Sequence, residues 1–166
     1  MSQTQIQAES VPSLQFLPNK RGMSVLIVED DEADAYLIAR ALAANPEVAT
    51  IMRAIDGVEA LALVDTGALE PDIAFIDLSM PRKDGLHLLA DFTARRQPCF
   101  PMVVLTSSPV ARDAVRSRFR GAVRVLVKPD SLEDLESVLA ATITSVQSGV
   151  TLPPRHRETP NRHGSA

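Results

Sequence analysis

Four places in the chain set a residue able to do chemistry directly behind a run of apolar ones. Glu29-Asp30-Asp31 follows Val25-Leu-Ile-Val28, Asp77 follows Ile73-Ala-Phe-Ile76, Thr106 follows Met102-Val-Val-Leu105, and Lys128 follows Val123-Arg-Val-Leu-Val127. Carboxylates gathered in one crevice repel, and each raises the other's pKa unless a cation neutralises them. An all-oxygen donor set with few protein ligands suits Mg²⁺, which keeps waters and binds through one or two carboxylates plus phosphate. A carboxylate beside Mg²⁺ can act as a nucleophile toward phosphorus, giving an aspartyl-phosphate. Such a transfer needs mainly positioning and neutralisation of charge on the equatorial oxygens. Mg²⁺ and Lys128 would supply the charge, and Thr106 a hydrogen bond. Lys suits a point contact to a phosphoryl oxygen better than the planar fork of Arg. The chain otherwise prefers Arg: of its 17 basic residues only Lys20, Lys83 and Lys128 are Lys.

Each residue also has a plainer reading. An acidic turn such as Glu29-Asp30-Asp31 complements the dipole of a helix N-terminus. Asp77 stands before a Pro-containing loop as a turn residue would, Thr106 could cap a helix, and Lys128 could end a strand in solvent. What separates the readings is coincidence of place: all four positions fall on the same edge of a parallel sheet, if the elements are as follows.

The apolar runs at 25–28, 73–76, 102–105 and 123–127 read as strands covered on both faces, and Val48–Ala54 as a further strand. Helical spacing runs from Ala33 to Ala44 (Tyr36, Leu37, Ala41, Leu42), stopping at Asn45-Pro46. Gly57–Val64 reads as a short helix ending near Gly67, and Leu86, Leu89 and Phe92 form a stripe that runs out at Gln97-Pro98. Ser108-Pro109 supplies an N-cap and a proline at the first helical position. Ser131-x-x-Asp134 is a capping box opening a helix with Leu132, Leu135, Val138, Leu139 and Ile143 on one side. Strands alternating with helices imply right-handed crossovers, a parallel sheet and helices on both faces. The expected class is α/β, a doubly wound five-stranded parallel sheet with five helices. In such a sheet ligands bind beyond the carboxyl ends of the strands, where strand order reverses.

Composition narrows the field. The chain has 166 residues, 45% hydrophobic and 23% charged, with a formal net charge of −4. That balance is too mild and of the wrong sign for a dedicated nucleic-acid binder. No apolar run approaches the roughly 18 residues that span a membrane, and the opening lacks a signal peptide's basic and apolar regions. One cysteine, Cys99, excludes a disulfide framework, and three scattered histidines do not make a zinc site. Residues 1–22 read as a flexible arm, 23–147 as the domain, and 148–166 as a second arm containing Pro and Arg. Neither arm has room for an output domain. The expected location is the cytoplasm.

The ordered set of motifs resembles the response-regulator receiver domain of two-component signalling, over residues 24 to about 147. The matching pieces are Val-Leu-Ile-Val-Glu29-Asp30-Asp31, Asp56-Gly-Val-Glu-Ala-Leu61, Asp77-Leu-Ser-Met-Pro81-Arg-Lys-Asp84-Gly85, Val-Val-Leu-Thr106-Ser-Ser and Val-Lys128-Pro129. The resemblance implies a flavodoxin-like receiver fold with Asp77 as acceptor of a phosphoryl group from a phosphohistidine. The donor would be a partner histidine kinase or histidine phosphotransfer protein. It implies Mg²⁺ held by Glu29, Asp30, Asp77 and the backbone carbonyl of Ser79, with Thr106 and Lys128 gripping the phosphoryl oxygens. Pro81 and Gly85 would shape the acceptor loop, and a cis bond would precede Pro129. The short Ser79 and Ser108 would flank the path of the water that hydrolyses the acyl-phosphate. One position departs from the pattern: three residues before Lys128, where the family often has an aromatic, stands Val125. That puts a coupled Thr–aromatic switch in doubt. The opening Leu-Ile-Val-Glu-Asp-Asp-Glu-Ala-Asp-Ala-Tyr-Leu-Ile and the Asp56 segment look most similar to single-domain regulators paired with bacterial phytochrome-type kinases.

The expected function is therefore a single-domain regulator signalling by protein contact or onward phosphotransfer, not an enzyme beyond its own phosphorylation and dephosphorylation. The alternative is a degenerate receiver that binds partners without phosphorylation. A phosphatase using an aspartyl-phosphate would need a second acid two residues after Asp77, where Ser79 stands. Neither a Gly-x-Gly-x-x-Gly after the first strand nor a Gly-Lys-Ser/Thr loop is present. Arg112, Arg116 and Arg120 recur at helical spacing, with Arg118 and Arg124 nearby and only Asp113 against them. Such a face is either solvated or a dock for an acidic partner, with Phe119 turned inward. The long apolar stripe of the last helix, with the arms beside it, makes a homodimer the expected assembly.

Overall fold

The computed structural model describes residues 22–80, 84–94, 100–119 and 123–149. Five strands, β1 (Met23–Val28), β2 (Val48–Ala54), β3 (Ile73–Asp77), β4 (Met102–Thr106) and β5 (Val123–Val127), form one sheet in the order β2-β1-β3-β4-β5. Every neighbouring pair is parallel. Between them run α1 (Glu32–Ala43), α2 (Gly57–Asp65), α3 (Gly85–Ala94) and α4 (Pro109–Arg118), with α5 (Leu132–Gln147) closing the domain. The order reverses at β1, so the crevice between the ends of β1 and β3 is the topological switch point. The α/β fold expected from the sequence is the fold observed.

Alternation along each strand divides the core in two. Val25 and Ile27 point to one face with Phe75, Val103 and Leu105, where α1 brings Ile38 and Leu42 and α5 brings Leu135, Leu139 and Ile143. Leu26 and Val28 point to the other with Ile76 and Val104, against Ala60 of α2, Leu88, Leu89 and Phe92 of α3, and Val115 of α4. Side chains of β3 and β4 are buried along their whole length, as strands covered by helices on both faces require.

Two details of the helical reading change. Tyr36 and Leu37 lie on the outer side of α1, 54% and 39% exposed, while Ala35, Ile38, Ala39 and Leu42 face the sheet. Apolar type misled there: spacing of i, i+3 and i+7 from Ala35 defines the buried stripe, and small alanines fill the close approach. At α5, Ser131 Oγ accepts from Asp134 N as the capping box requires, but the Asp134 carboxylate accepts from the Ser131 hydroxyl at 2.7 Å. Asp is one methylene shorter than the Glu of a full box, and it binds the hydroxyl.

The ends of the other helices follow their signals. Ser108 Oγ caps α4 by accepting from Ala111 N, with Pro109 in the first turn. Asp56 Oδ1 accepts from the amides of Val58 and Glu59 at 2.8 and 2.9 Å and caps α2. Thr66 is the C-cap of α2, and Gly67 takes φ +69°, a left-handed conformation open to glycine at no steric cost. Both arms, apart from Gly22, Ser148 and Gly149, lie outside the described residues, as do Pro81, Cys99 and Arg120. No helix of the described residues is long and apolar enough to cross a membrane.

Asp56 is 1% exposed, so its cap is made inside the protein where water cannot replace it. Asp56→Ala is expected to cost about 1–2 kcal/mol, and Asp56→Asn less, in the urea unfolding free energy.

Candidate functional site

The sheet brings the residues expected to do chemistry to one edge. Glu29 and Asp30 leave the end of β1, Asp77 ends β3, Thr106 ends β4 and Lys128 follows β5. Carboxylate oxygens of Glu29, Asp30 and Asp77 lie within 4.8 Å of one another. Glu29 and Asp77 are buried and Asp30 is exposed at the mouth.

Backbone and guanidinium contacts hold this acidic edge. Glu29 Oε1 accepts from Asp31 N at 3.2 Å, and Asp77 Oδ2 accepts from Ser79 N at 2.8 Å. Arg53, on the neighbouring β2, donates through Nε to the carbonyl of Glu29 at 3.0 Å and through Nη2 to that of Asp30 at 2.9 Å. That clamp fixes the backbone of the turn bearing two carboxylates while leaving their side chains to the crevice. Nothing in the sequence pattern singled Arg53 out, because an Arg in a half-buried strand has no motif.

Lys128 is the cation of the site. Its Nζ lies 2.7 Å from Glu29 Oε2, 2.7 Å from Asp34 Oδ2 and 3.1 Å from Asp77 Oδ1. It donates hydrogen bonds to Glu29 and Asp34, and Asp77 faces it as an ion pair. Burial alone would depress this lysine, but the bonds to Asp34 and Glu29 and the charge of Asp77 outweigh it and raise its pKa above the ordinary value. Glu29 is pushed up from the ordinary carboxylate range, first by burial and then by Asp77, against the pull of Lys128. Asp34 was not among the expected site residues. It stands in the first turn of α1, five positions past Glu29, and only the folded helix swings it back over the crevice.

The remaining residues are placed as follows. Thr106 is buried; its Oγ1 accepts from Ser108 N at 3.1 Å, which leaves the hydroxyl proton to be donated, and its carbonyl accepts from Lys128 N at 2.8 Å. Ser79 is exposed beside Asp77. Val125 is 3% exposed in the core shared with Val115 of α4. The cis bond expected before Pro129 is absent: the described peptide bonds are all trans. Trans is the lower-energy isomer by about 0.5–1 kcal/mol, and from it Lys128 already reaches three carboxylates. On α4, Arg112 pairs with Asp113 at 3.0 Å, and the Arg118 guanidinium sits 5.4 Å from the centroid of the half-buried Phe119 ring. The described helix ends at Arg118, and the third member of the expected arginine row, Arg120, lies outside the described residues.

A buried carboxylate pair with a lysine between its members stands at the switch point of a 2-1-3-4-5 parallel sheet, the place where such folds bind ligands. The response regulator receiver domain model matches residues 25–140, and the chain belongs to that family. A protein-glutamate methylesterase/protein-glutamine glutaminase of Anaeromyxobacter dehalogenans is 36% identical over 115 residues, 69% of this chain and 33% of that protein. The chain thus spans about a third of that relative's length. The phosphorylated cyanobacterial phytochrome response regulator RcpA matches with a TM-score of 0.68 at 29% identity, covering 80% of this chain and 99% of the other. The Mn²⁺-bound form of response regulator Rcp1 matches with a TM-score of 0.66 at 28% identity, again covering 80% and 99%.

Gly85 is where α3 begins, and a Cβ there would collide with the carbonyl oxygen of Asp77 and lie 2.8 Å from the Leu78 Cα. The backbone carrying Asp77 therefore runs against the helix start with no room between. Gly85→Ala is expected to destabilise by about 1–3 kcal/mol in urea unfolding, as overpacking against fixed backbone does.

Proposed function

We propose that this receiver domain is a phospho-acceptor switch, in which Asp77 takes a phosphoryl group from a phosphohistidine of a histidine kinase or histidine phosphotransfer protein. The observation that carries the reading is the Asp77 carboxylate held between the Ser79 amide and the Lys128 ammonium, with Glu29 and Asp30 within metal-sharing distance. A carboxylate oxygen of Asp77 attacks phosphorus in line, and the P–N bond of the phosphohistidine breaks. Its electron pair stays on the imidazole nitrogen, which takes a proton as the donor leaves. Lys128 and the Thr106 hydroxyl then face the new phosphoryl oxygens.

The site fits Mg²⁺. Its donors are all oxygen, and the raised pKa of Glu29 reports burial and carboxylate repulsion that a divalent cation relieves. Glu29, Asp30, Asp77 and the carbonyl of Ser79 would hold it, and the ion would supply neutralisation of charge at the phosphoryl oxygens.

The domain is read as a single-domain, cytoplasmic regulator. Its output is contact with a protein or onward transfer of the phosphoryl group. The matches to RcpA and Rcp1 over nearly their whole chains support that reading, and RcpA, a phytochrome response regulator, favours a phytochrome-type kinase as the donor's class. Arg116 and Arg118, exposed on α4, suit an acidic partner, and the half-buried Val138 and Val146 of α5 suit a second copy in a homodimer. The degenerate, phosphorylation-independent receiver is the reading to beat, and it gives no reason for the joint presence of Glu29, Asp30, Asp77, Thr106 and Lys128. The methylesterase activity of the curated relative belongs to a protein three times the matched length and is not carried over.

Incubation with Mg²⁺ and acetyl phosphate, followed by intact mass measurement, is expected to show one phosphoryl adduct on the wild type and none on Asp77→Asn. An unmodified wild type would instead favour the binding-only reading. Lys128→Arg is expected to impair output while leaving Mg²⁺ binding less affected, because a planar fork cannot replace a three-proton point charge. Partner binding measured after acetyl phosphate treatment, beside a Mg²⁺ titration, checks this; equal signalling by the variant would remove Lys128 from its assigned role.

A further inference from the structure

Asp34 is the carboxylate in the crevice that the phosphoryl-acceptor reading leaves without a task. It is outside the group of Glu29, Asp30 and Asp77 and stands on a helix instead of a strand end. Its place is nonetheless determined. Asp31 caps α1 by accepting from Asp34 N at 2.8 Å, and from that anchored turn Asp34 Oδ2 accepts from Lys128 Nζ at 2.7 Å. The Asp34 side chain is 45% exposed and that of Lys128 15%, so the pair sits where the crevice meets solvent.

Lys128 and a divalent cation have claims on the same oxygens. Two of the three carboxylates around the ammonium, Glu29 and Asp77, belong to the metal-sharing group, and Asp34 does not. Charge that Asp34 balances on Lys128 is charge that Glu29 and Asp77 need not balance. With Asp34 gone, the ammonium would be neutralised by those two alone and would close on them. An incoming cation would then have to displace it.

We propose that Asp34 is a positioning residue for Lys128: it holds the ammonium at the mouth of the crevice and so keeps Glu29 and Asp77 open to a divalent cation. This rests on the crevice being the metal-dependent phosphoryl site proposed above. Asp34 also adds a negative charge near the cation directly, but a half-exposed charge is screened by solvent and salt. A double-mutant cycle separates the two routes, because only the first passes through Lys128.

The test is calorimetric titration of the full chain with Mg²⁺ at fixed ionic strength, with urea unfolding midpoints measured in parallel. Asp34→Asn is expected to weaken Mg²⁺ binding about twofold to fivefold, the range of one partly exposed ion pair. Asp34→Glu is expected to recover most of that loss. In a Lys128→Met background the Asn substitution should change nothing; where Lys128→Met does not fold, Lys128→Gln, which keeps a polar donor beside Glu29, takes its place. Three results would overturn the proposal: unchanged Mg²⁺ affinity in Asp34→Asn, an equal loss in the Lys128 background, or a wild type that binds no Mg²⁺. Failure of the acceptor reading looks different, as a wild type that binds Mg²⁺ with the Asp34 dependence above but gains no phosphoryl mass from acetyl phosphate.

Discussion

One ammonium among three carboxylates holds the functional edge of this domain together. Glu29 and Asp77 come from adjacent strands, and without a cation between them two buried negative charges would face each other at the end of the sheet. Lys128 arrives from the end of the far strand, β5, and Asp34 from the first turn of α1, which follows β1. The four residues therefore tie β1, β3, β5 and α1 at a single point. The arrangement leaves more negative than positive charge at the end of the sheet. Its carboxylates outnumber its ammonium, and Glu29 is held above its ordinary pKa by burial and by Asp77.

Everything behind that edge serves to make it rigid. The two cores fix the strands from both faces, with Phe75, Leu105 and Leu139 on one side and Phe92, Leu88 and Leu89 on the other, all at most 1% exposed. The T-shaped pair of Phe92 and Phe100, with ring centroids 5.4 Å apart, packs α3 against the segment entering β4. At the edge itself, short-range backbone bonds replace packing. Arg53 clamps the β1–α1 turn, the Ser79 amide orients Asp77, and Gly85 lets the start of α3 press against the carbonyl of Asp77.

The fold and most of the site were legible in the sequence for a physical reason. A parallel strand buried on both faces must be apolar throughout, so the polar residue that ends it stands out, and four such endings named Glu29, Asp77, Thr106 and Lys128. What was not legible depends on helix phase or on contacts across sequence distance. Asp34 looks like one more acid in the first turn of a helix, and Arg53 like one more charged residue in a strand; their roles appear only when α1 and β2 are placed beside β1. Tyr36 was misread for the related reason that aromatic character says nothing about the side of a helix on which a residue falls. The isomer at Pro129 was an expectation from family likeness alone, with no residue pattern behind it.

The route from the crevice outward is short and passes through Thr106. Its hydroxyl oxygen accepts from Ser108 N, and Ser108 Oγ in turn caps α4 by accepting from Ala111 N. Its carbonyl accepts from Lys128 N, which ties the ends of β4 and β5. A Thr106 hydroxyl that turned toward an oxygen on Asp77 would change its angle to Ser108 N, and with it the cap of α4. In many receivers an aromatic ring on β5 accompanies such a turn, but here Val125 is a small side chain sealed beneath α4 with Val115. A β-branched residue in that position has restricted χ1 freedom and no bulk to swing out. A change at Thr106 would therefore fall first on the N-terminus of α4, where Val110 is 80% exposed and Arg112, Arg116 and Arg118 lie further along the helix. The end of α4 that is tied to the crevice through Thr106 and Ser108 thus carries the exposed Val110.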